Sequence, residues 1–250
     1  AEVLKGREAN GIWPWSGGKA GAIHNICQRY GIRAAVISAV DVINGLGRCM
    51  GMDVIKVPGA TGYIDTHYEG KADAALKALA DGYDFVYVHV EAIDEVSHAQ
   101  DLALKMKAIE DFDRRLVGRV MDAGGPSVAY CVLPDHPVPL ALGKHTRTPV
   151  PVAVYQPGID PDDVETFDES AARRGALGAL GQPGAPEHVL EQTAVAVERL
   201  GQFEVLFVRE PLEPGQEVDV VSHGPLRSAA RKASHPRWCS CPRCLPSRCL

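Results

Sequence analysis

The sequence predicts an α/β fold, a mainly parallel sheet flanked by helices. Three observations lead there. Strand-like and helix-like segments alternate from residue 21 to about 175, the pattern of strands joined by helical crossovers. The strand candidates are continuous β-branched and apolar runs, which suit strands buried on both faces. Hydrophobic residues make up 46% of the chain and charged residues 23%, enough apolar material for a sizeable core in 250 residues.

Taken in order, AAVISAV (34–40) and DVIKV (53–57) are the first two strands, followed by DFVYVHVEA (84–92) and SVAYCVL (127–133). PVAVY (151–155) is a fifth, opened by a proline. Between them, EGKADAALKALAD (69–81) predicts one helix and residues 100–122 a second. In the second, Leu102, Met106, Ile109, Leu116 and Val120 recur at helical spacing and define one apolar stripe. Gly124 and Gly125 terminate it.

The ends differ from the middle. Residues 1–20, with GIWPWSGGKAG, read as a loop or the exit from a preceding domain, and Trp13 and Trp15 as packing between domains or, alternatively, as bordering a substrate site. Residues 21–175 form the core. Residues 176–250 are punctuated by Gly and Pro, with a helix candidate around 187–200 and a strand candidate around 203–208. This last region reads as a divergent, poorly ordered tail. From Arg227 onward it holds six basic residues and no acidic one. Four of the seven cysteines, Cys239, Cys241, Cys244 and Cys249, crowd its end. A zinc site around Cys241, Cys244 and His235 has the right ligand types, but no second knuckle follows, so a disordered or misread tail is the expectation. Cys27, Cys49 and Cys131 stand singly among apolar neighbours as ordinary free thiols.

A formal charge of −6 gives no reason to expect nucleic acid or an anionic membrane as partner. No apolar run approaches the roughly 20 residues that span a bilayer. The first residues, AEVLKGREAN, contain neither an initiator Met nor an apolar signal region, so a cytoplasmic protein is expected.

The chemistry-bearing residues cluster just beyond strand ends. Asp94 and His98 follow DFVYVHVEA, Asp135 and His136 follow SVAYCVL, and His145 precedes the fifth strand. In open α/β sheets, ligand groups gather at the carboxyl ends of strands. Asp and His are the side chains that bind divalent cations through oxygen and nitrogen. Asp94 and His98 are four residues apart and share a face if the chain turns helically there. Each element alone has a plain structural reading: a surface helix pair, a turn, a loop histidine. The three together, in this order, predict a metal site. Lys71, after GATGYIDTHYEG, reads equally as a cation near a phosphate and as a solvated residue in the first turn of the 69–81 helix. Asp41 and Asn44 follow the first strand and stand near the same cleft, while His89, in mid-strand, reads as a core histidine.

The order DxxxH, LPDHP, HTxxPVP resembles the metal-binding half of the alkaline-phosphatase superfamily. Longer strings, among them WPWSGGKA, VISAVDVINGLG, GMDVIKVPGATGYIDTHYEGKA, DFVYVHVEAIDEVSH and KAIEDFD, resemble the archaeal-type cofactor-independent phosphoglycerate mutases over residues 10–175. The resemblance implies a three-layer α/β/α sandwich, incomplete on its N-terminal side, and two divalent metal ions (Mn, Mg or Zn). It implies Asp94, His98 and His145 as ligands of one ion and Asp135 and His136 as ligands of the second. Lys71 would contact a small phosphorylated substrate, phosphoglycerate. The nucleophilic Ser or Thr of the family has no counterpart here and is expected upstream. A related phosphotransferase, such as a proposed homoserine kinase, or an inactive metal-binding fragment are the alternatives.

Overall fold

A computed structural model describes residues 18–19, 21, 23–125, 127–158 and 160–177, and the backbone of 204–209. Six strands form one sheet: β1 (Ala34–Ile37), β2 (Asp53–Val54), β3 (Phe85–His89), β4 (Val128–Leu133), β5 (Ala153–Tyr155) and β6 (Glu204–Arg209). Their order is β2-β1-β3-β6-β4-β5. β2, β1 and β3 run parallel, β6 lies antiparallel between β3 and β4, and β5 is antiparallel to β4. β1, β3 and β4 therefore end on the same edge of the sheet, which is where the site lies.

Side chains alternate across the pleat, as a period of two requires. Ala35, Ile37, Val86, Val88, Val128, Tyr130 and Val132 face one apolar cluster. Ala34, Val36, Phe85, Tyr87, Cys131 and Leu133 face the other. The first face is covered by α3 (Tyr68–Ala80), α4 (Ala92–His98), α5 (Leu102–Asp111), a π-helical turn (Phe112–Val117) and α6 (Gly118–Gly124). The second receives Ile26 of α1 (Ile26–Tyr30) and Ile43 of α2 (Asp41–Cys49), with Met50 and Met52. A short α7 (Glu169–Ala172), capped by Asp168, ends the continuous region. The result is a three-layer α/β/α arrangement. Burial on both sides explains why the strands carry unbroken apolar runs instead of alternating ones.

Some elements depart from expectation. The first strand stops at Ile37 instead of residue 40, and α2 starts at Asp41. Gly45 and Gly47 mask this helix in the sequence, since glycine is a poor helix former. The structure shows a use for Gly47: a Cβ there would lie 2.6 Å from Val36 Cγ1, so the missing side chain lets α2 lie against β1. The strand expected at 53–57 pairs only through Asp53 and Val54. The helix at 100–122 is broken by the π turn, and its apolar stripe is only partly buried. Leu116 and Val120 are fully buried, whereas Leu102 is 43% exposed. Ala108, Phe112 and Leu116, spaced four apart, are the residues this segment buries in the core. Trp13, Trp15, the helix candidate at 187–200 and the cysteine-rich end lie outside the described residues.

Two bidentate ion pairs fasten α3 to the helices beside it. Arg115 Nε and Nη2 donate to Glu69 at 2.6 and 2.9 Å, and Arg119 does the same to Asp73 at 2.6 and 3.0 Å. The Arg115 hydrogen bonds hold the Glu69 carboxyl down to about 2. A depressed carboxyl contributes stability above its unfolded pKa near 4.5 and loses it as pH falls toward 2. The Glu69 side chain is 35% exposed, so screening limits the effect to less than about 1 kcal/mol. Urea melts at pH 5 and pH 2.5 should show the parent losing more stability than Glu69→Gln over that window. Equal losses would remove the pair from the acid response. Among the described residues, no helix is long and apolar enough to cross a membrane.

Candidate metal centre

α4 begins two residues after β3 ends, and this short connection puts Asp94 and His98 at the sheet edge. Their i, i+4 spacing works as expected: His98 Nε2 lies 3.5 Å from Asp94 Oδ2. β4 ends at Leu133, and the following turn brings in Asp135 and His136, with His136 Nε2 2.9 Å from Asp135 Oδ2. His145 arrives from the next loop. Its Nε2 is 2.9 Å from His98 Nε2 and 3.7 Å from Asp94 Oδ1, and its ring stacks on His136 with centroids 3.7 Å apart. Ligand atoms of Asp94, His136 and His145 lie within 4.8 Å of one another.

The orientation of these groups is fixed from behind. His98 Nδ1 is 2.9 Å from the Gly143 carbonyl, which can only accept, so this nitrogen carries the proton and Nε2 presents its lone pair to the cluster. The loop supplying that carbonyl is tied to α4 and α5. Gln100 Nε2 donates to Leu140 O at 2.7 Å, and Lys105 Nζ donates to Val138 O at 3.0 Å. Thr146 N donates to Pro137 O at 3.0 Å, closing the loop on itself just after His145. Gly143 has φ +57, a left-handed conformation natural to glycine, and a Cβ there would press on Gln100 Cγ at 3.0 Å. The sequence carried only a faint sign of this support, a glycine two residues before His145.

Two buried atoms in the cluster have no hydrogen-bond partner: Asp94 Oδ1 and His136 Nδ1. They lie 4.0 Å apart. With Nε2 of His136 turned to Asp135, a neutral ring points its Nδ1 lone pair at the Asp94 carboxylate. Two acceptors facing each other in a buried place are costly unless a cation lies between them. Burial pushes the Asp135 carboxyl up to about 7, and the Asp94 charge adds to the rise. Burial also lowers His136, with neighbouring His145 acting the same way. The cluster is short of positive charge, the condition a divalent ion corrects. Donor spacings from 2.9 to 4.0 Å bracket the roughly 3.3 Å edge of a tetrahedral zinc site with 2.0 Å bonds. Oxygen and imidazole donors equally suit manganese or magnesium.

Five of the six residues singled out from the sequence thus converge. The closest set, Asp94 with His136 and His145, cuts across the expected division of ligands between two ions. Lys71 is placed differently. It is fully buried on α3, and its Nζ donates to the His89 carbonyl at 2.9 Å. His89 is a buried core histidine, sharing a 2.8 Å hydrogen bond with Ser38 Oγ. Asn44 is also buried, its Nδ2 donating to Ser38 O at 3.1 Å, whereas Asp41 is exposed.

An α/β sheet that gathers Asp and His side chains beyond two strand ends, with two buried, unpartnered acceptor atoms facing one another, is an arrangement of the metal-binding class. The chain belongs to the metalloenzyme superfamily, whose family model matches residues 12–192. It is 49% identical over 176 residues to a 2,3-bisphosphoglycerate-independent phosphoglycerate mutase of Methanosarcina acetivorans, covering 69% of this chain and 44% of that protein. A probable enzyme of the same name from Geobacter sulfurreducens is 49% identical over 172 residues, covering 68% and 43%. The chain thus spans less than half the length of these curated relatives. Among solved structures, the PH0037 protein from Pyrococcus horikoshii matches with a TM-score of 0.60 and 33% identity, over 62% of this chain and 47% of that one.

Proposed function

We propose that this chain forms the metal-binding part of a cofactor-independent phosphoglycerate mutase, a cytoplasmic enzyme interconverting 3-phosphoglycerate and 2-phosphoglycerate through a phospho-enzyme. The observation that carries the metal reading is the pair of buried, unpartnered atoms, Asp94 Oδ1 and His136 Nδ1, 4.0 Å apart. The identity to phosphoglycerate mutases supports the substrate class.

In this reading Asp94, His98 and His145 hold one divalent ion (Mn, Mg or Zn), and Asp135 and His136 contribute to a second. When bound, such ions supply positive charge for a transferring phosphoryl group and for the oxygens it leaves and joins. The chain's own residues do the preparation. Gly143 fixes the His98 ring through Nδ1, and Asp135 fixes the His136 ring through Nε2. The tied 137–146 loop holds His145 over both. The nucleophilic hydroxyl and most contacts to the glycerate are assigned to segments outside these residues.

The test is a coupled 3-phosphoglycerate mutase assay with Mn²⁺, on this chain and on a version extended to the length of its relatives. Turnover in the extended version is expected. Folded, metal-loaded extended protein without turnover would overturn the mutase reading and direct the search to other phosphate esters.

A further inference from the structure

α3 lays one stripe on the core: Tyr68, Lys71, Ala72, Ala75, Ala78 and Leu79 are all buried. In that stripe Lys71 is the only charge-bearing residue, and packing alone would be met by an aliphatic side chain. Burial pushes its ammonium down to about 8, with Glu91 acting in the opposite direction. A buried amine is costly unless it is bonded, and its bond is specific. Nζ donates at 2.9 Å to the carbonyl of His89, the last residue of β3.

His89 is also held from its other side. Its Nδ1 meets Ser38 Oγ, just past the end of β1, at 2.8 Å. Ser38 is itself fixed: its Oγ accepts from Val40 N at 3.0 Å, and its carbonyl accepts from Asn44 Nδ2 at 3.1 Å. The main chain of His89 is thus clamped by α3 and its side chain by β1. Beyond it, Val90 is buried, and the carbonyl of Glu91 accepts from Asp94 N at 2.9 Å to open α4. Only that short stretch separates the clamp from Asp94.

We propose that Lys71 is a positioning residue for the metal centre: through the His89 carbonyl it fixes where β3 ends and so where α4 presents Asp94 and His98. The proposal rests on the reading of those two residues as metal ligands. Metal–ligand distances tolerate only about 0.2 Å, and functional groups about 0.5 Å. A loosened strand end five peptide bonds away is enough to exceed both. Ser38 belongs to the same device from the opposite side.

The experiment is Mn²⁺ binding without any substrate, followed by titration calorimetry and by the Mn²⁺ EPR line shape, on the full 250-residue chain. Wild type, Lys71→Met, Ser38→Ala and Asp94→Ala are compared, with thermal melts in EDTA establishing that each is folded. Lys71→Met, similar in volume and uncharged, is expected to bind Mn²⁺ roughly tenfold more weakly, as outer-shell changes do, with an altered line shape. Ser38→Ala should shift in the same direction, and it decides the matter if Lys71→Met fails to fold. A folded Lys71→Met with unchanged affinity and line shape, while Asp94→Ala loses the ion, would overturn the positioning role alone and leave the metal centre standing. Unchanged binding in Ser38→Ala, where only that variant folds, has the same meaning. Wild-type protein that binds no Mn²⁺ would overturn both.

Discussion

Asp94→Ala is expected to weaken Mn²⁺ binding by more than roughly 100-fold, because even outer-shell partners of a ligand cost 10–100-fold. Asp94 is central to the cluster: its carboxylate lies 3.5 Å from His98, 3.7 Å from His145 and 4.0 Å from His136. Among the described residues, no other carboxylate is paired with all three histidines. The apo-protein should behave differently. Oδ1 of Asp94 is buried without a partner, so its removal takes away an unsatisfied acceptor, and stability in EDTA should hold or rise. Added Mn²⁺ should stabilise the parent by about 2.7 kcal/mol at a hundred times its Kd, and the variant hardly at all. Paired melts with and without metal would show this crossing. A variant that gains as much from Mn²⁺ as the parent would exclude Asp94 as a ligand, and full turnover in an extended Asp94→Ala protein would do so independently.

Phe112→Ala should cost about 3–5 kcal/mol, the range for emptying a large aromatic site in a core. Phe112 opens the π turn and is buried in the cluster beneath β1, β3 and β4, together with Leu116, Val117 and Val120. By contrast Leu102→Ala, which belongs to the predicted stripe as Phe112 does not, is 43% exposed and should cost less than about 0.5 kcal/mol. Denaturant melts of the two variants compare the sequence-derived stripe with the rotated face directly. Similar losses at both positions would contradict the difference in burial between them.

The sequence was most informative where one physical requirement dominated. Strands covered on both faces need apolar residues at every position, and AAVI, FVYVH and VAYCVL stand out for that reason. Asp94, His98, Asp135 and His136 were visible because metal-binding side chains fell just past those runs, and His145 because it stands before the fifth. What stayed hidden depends on contacts between distant segments. α2 was obscured by Gly45 and Gly47, and the need for Gly47 is visible only with Val36 beside it. The π turn has no compositional mark. The Gly143 carbonyl on His98 is a backbone contact that no side-chain pattern announces. Lys71 was ambiguous for the same reason: a lysine in a first helical turn gives no sign that its amine meets the end of a strand.

The place of β6 has a consequence for how the protein assembles. β3 and β4 lead into the two halves of the Asp/His cluster, and among the described residues they are joined within the sheet only through β6. Their spacing is therefore two strand widths, about 9.5 Å, set by a segment more than seventy residues downstream of β4. Closing so long a loop carries an entropic cost that must be met before the pairing contributes anything. During synthesis, Asp94 and His98 emerge well before the strand that sets their distance from Asp135 and His136. High-affinity metal capture is therefore expected late in folding. Metal uptake during refolding should report completion of the sheet more faithfully than helix content does.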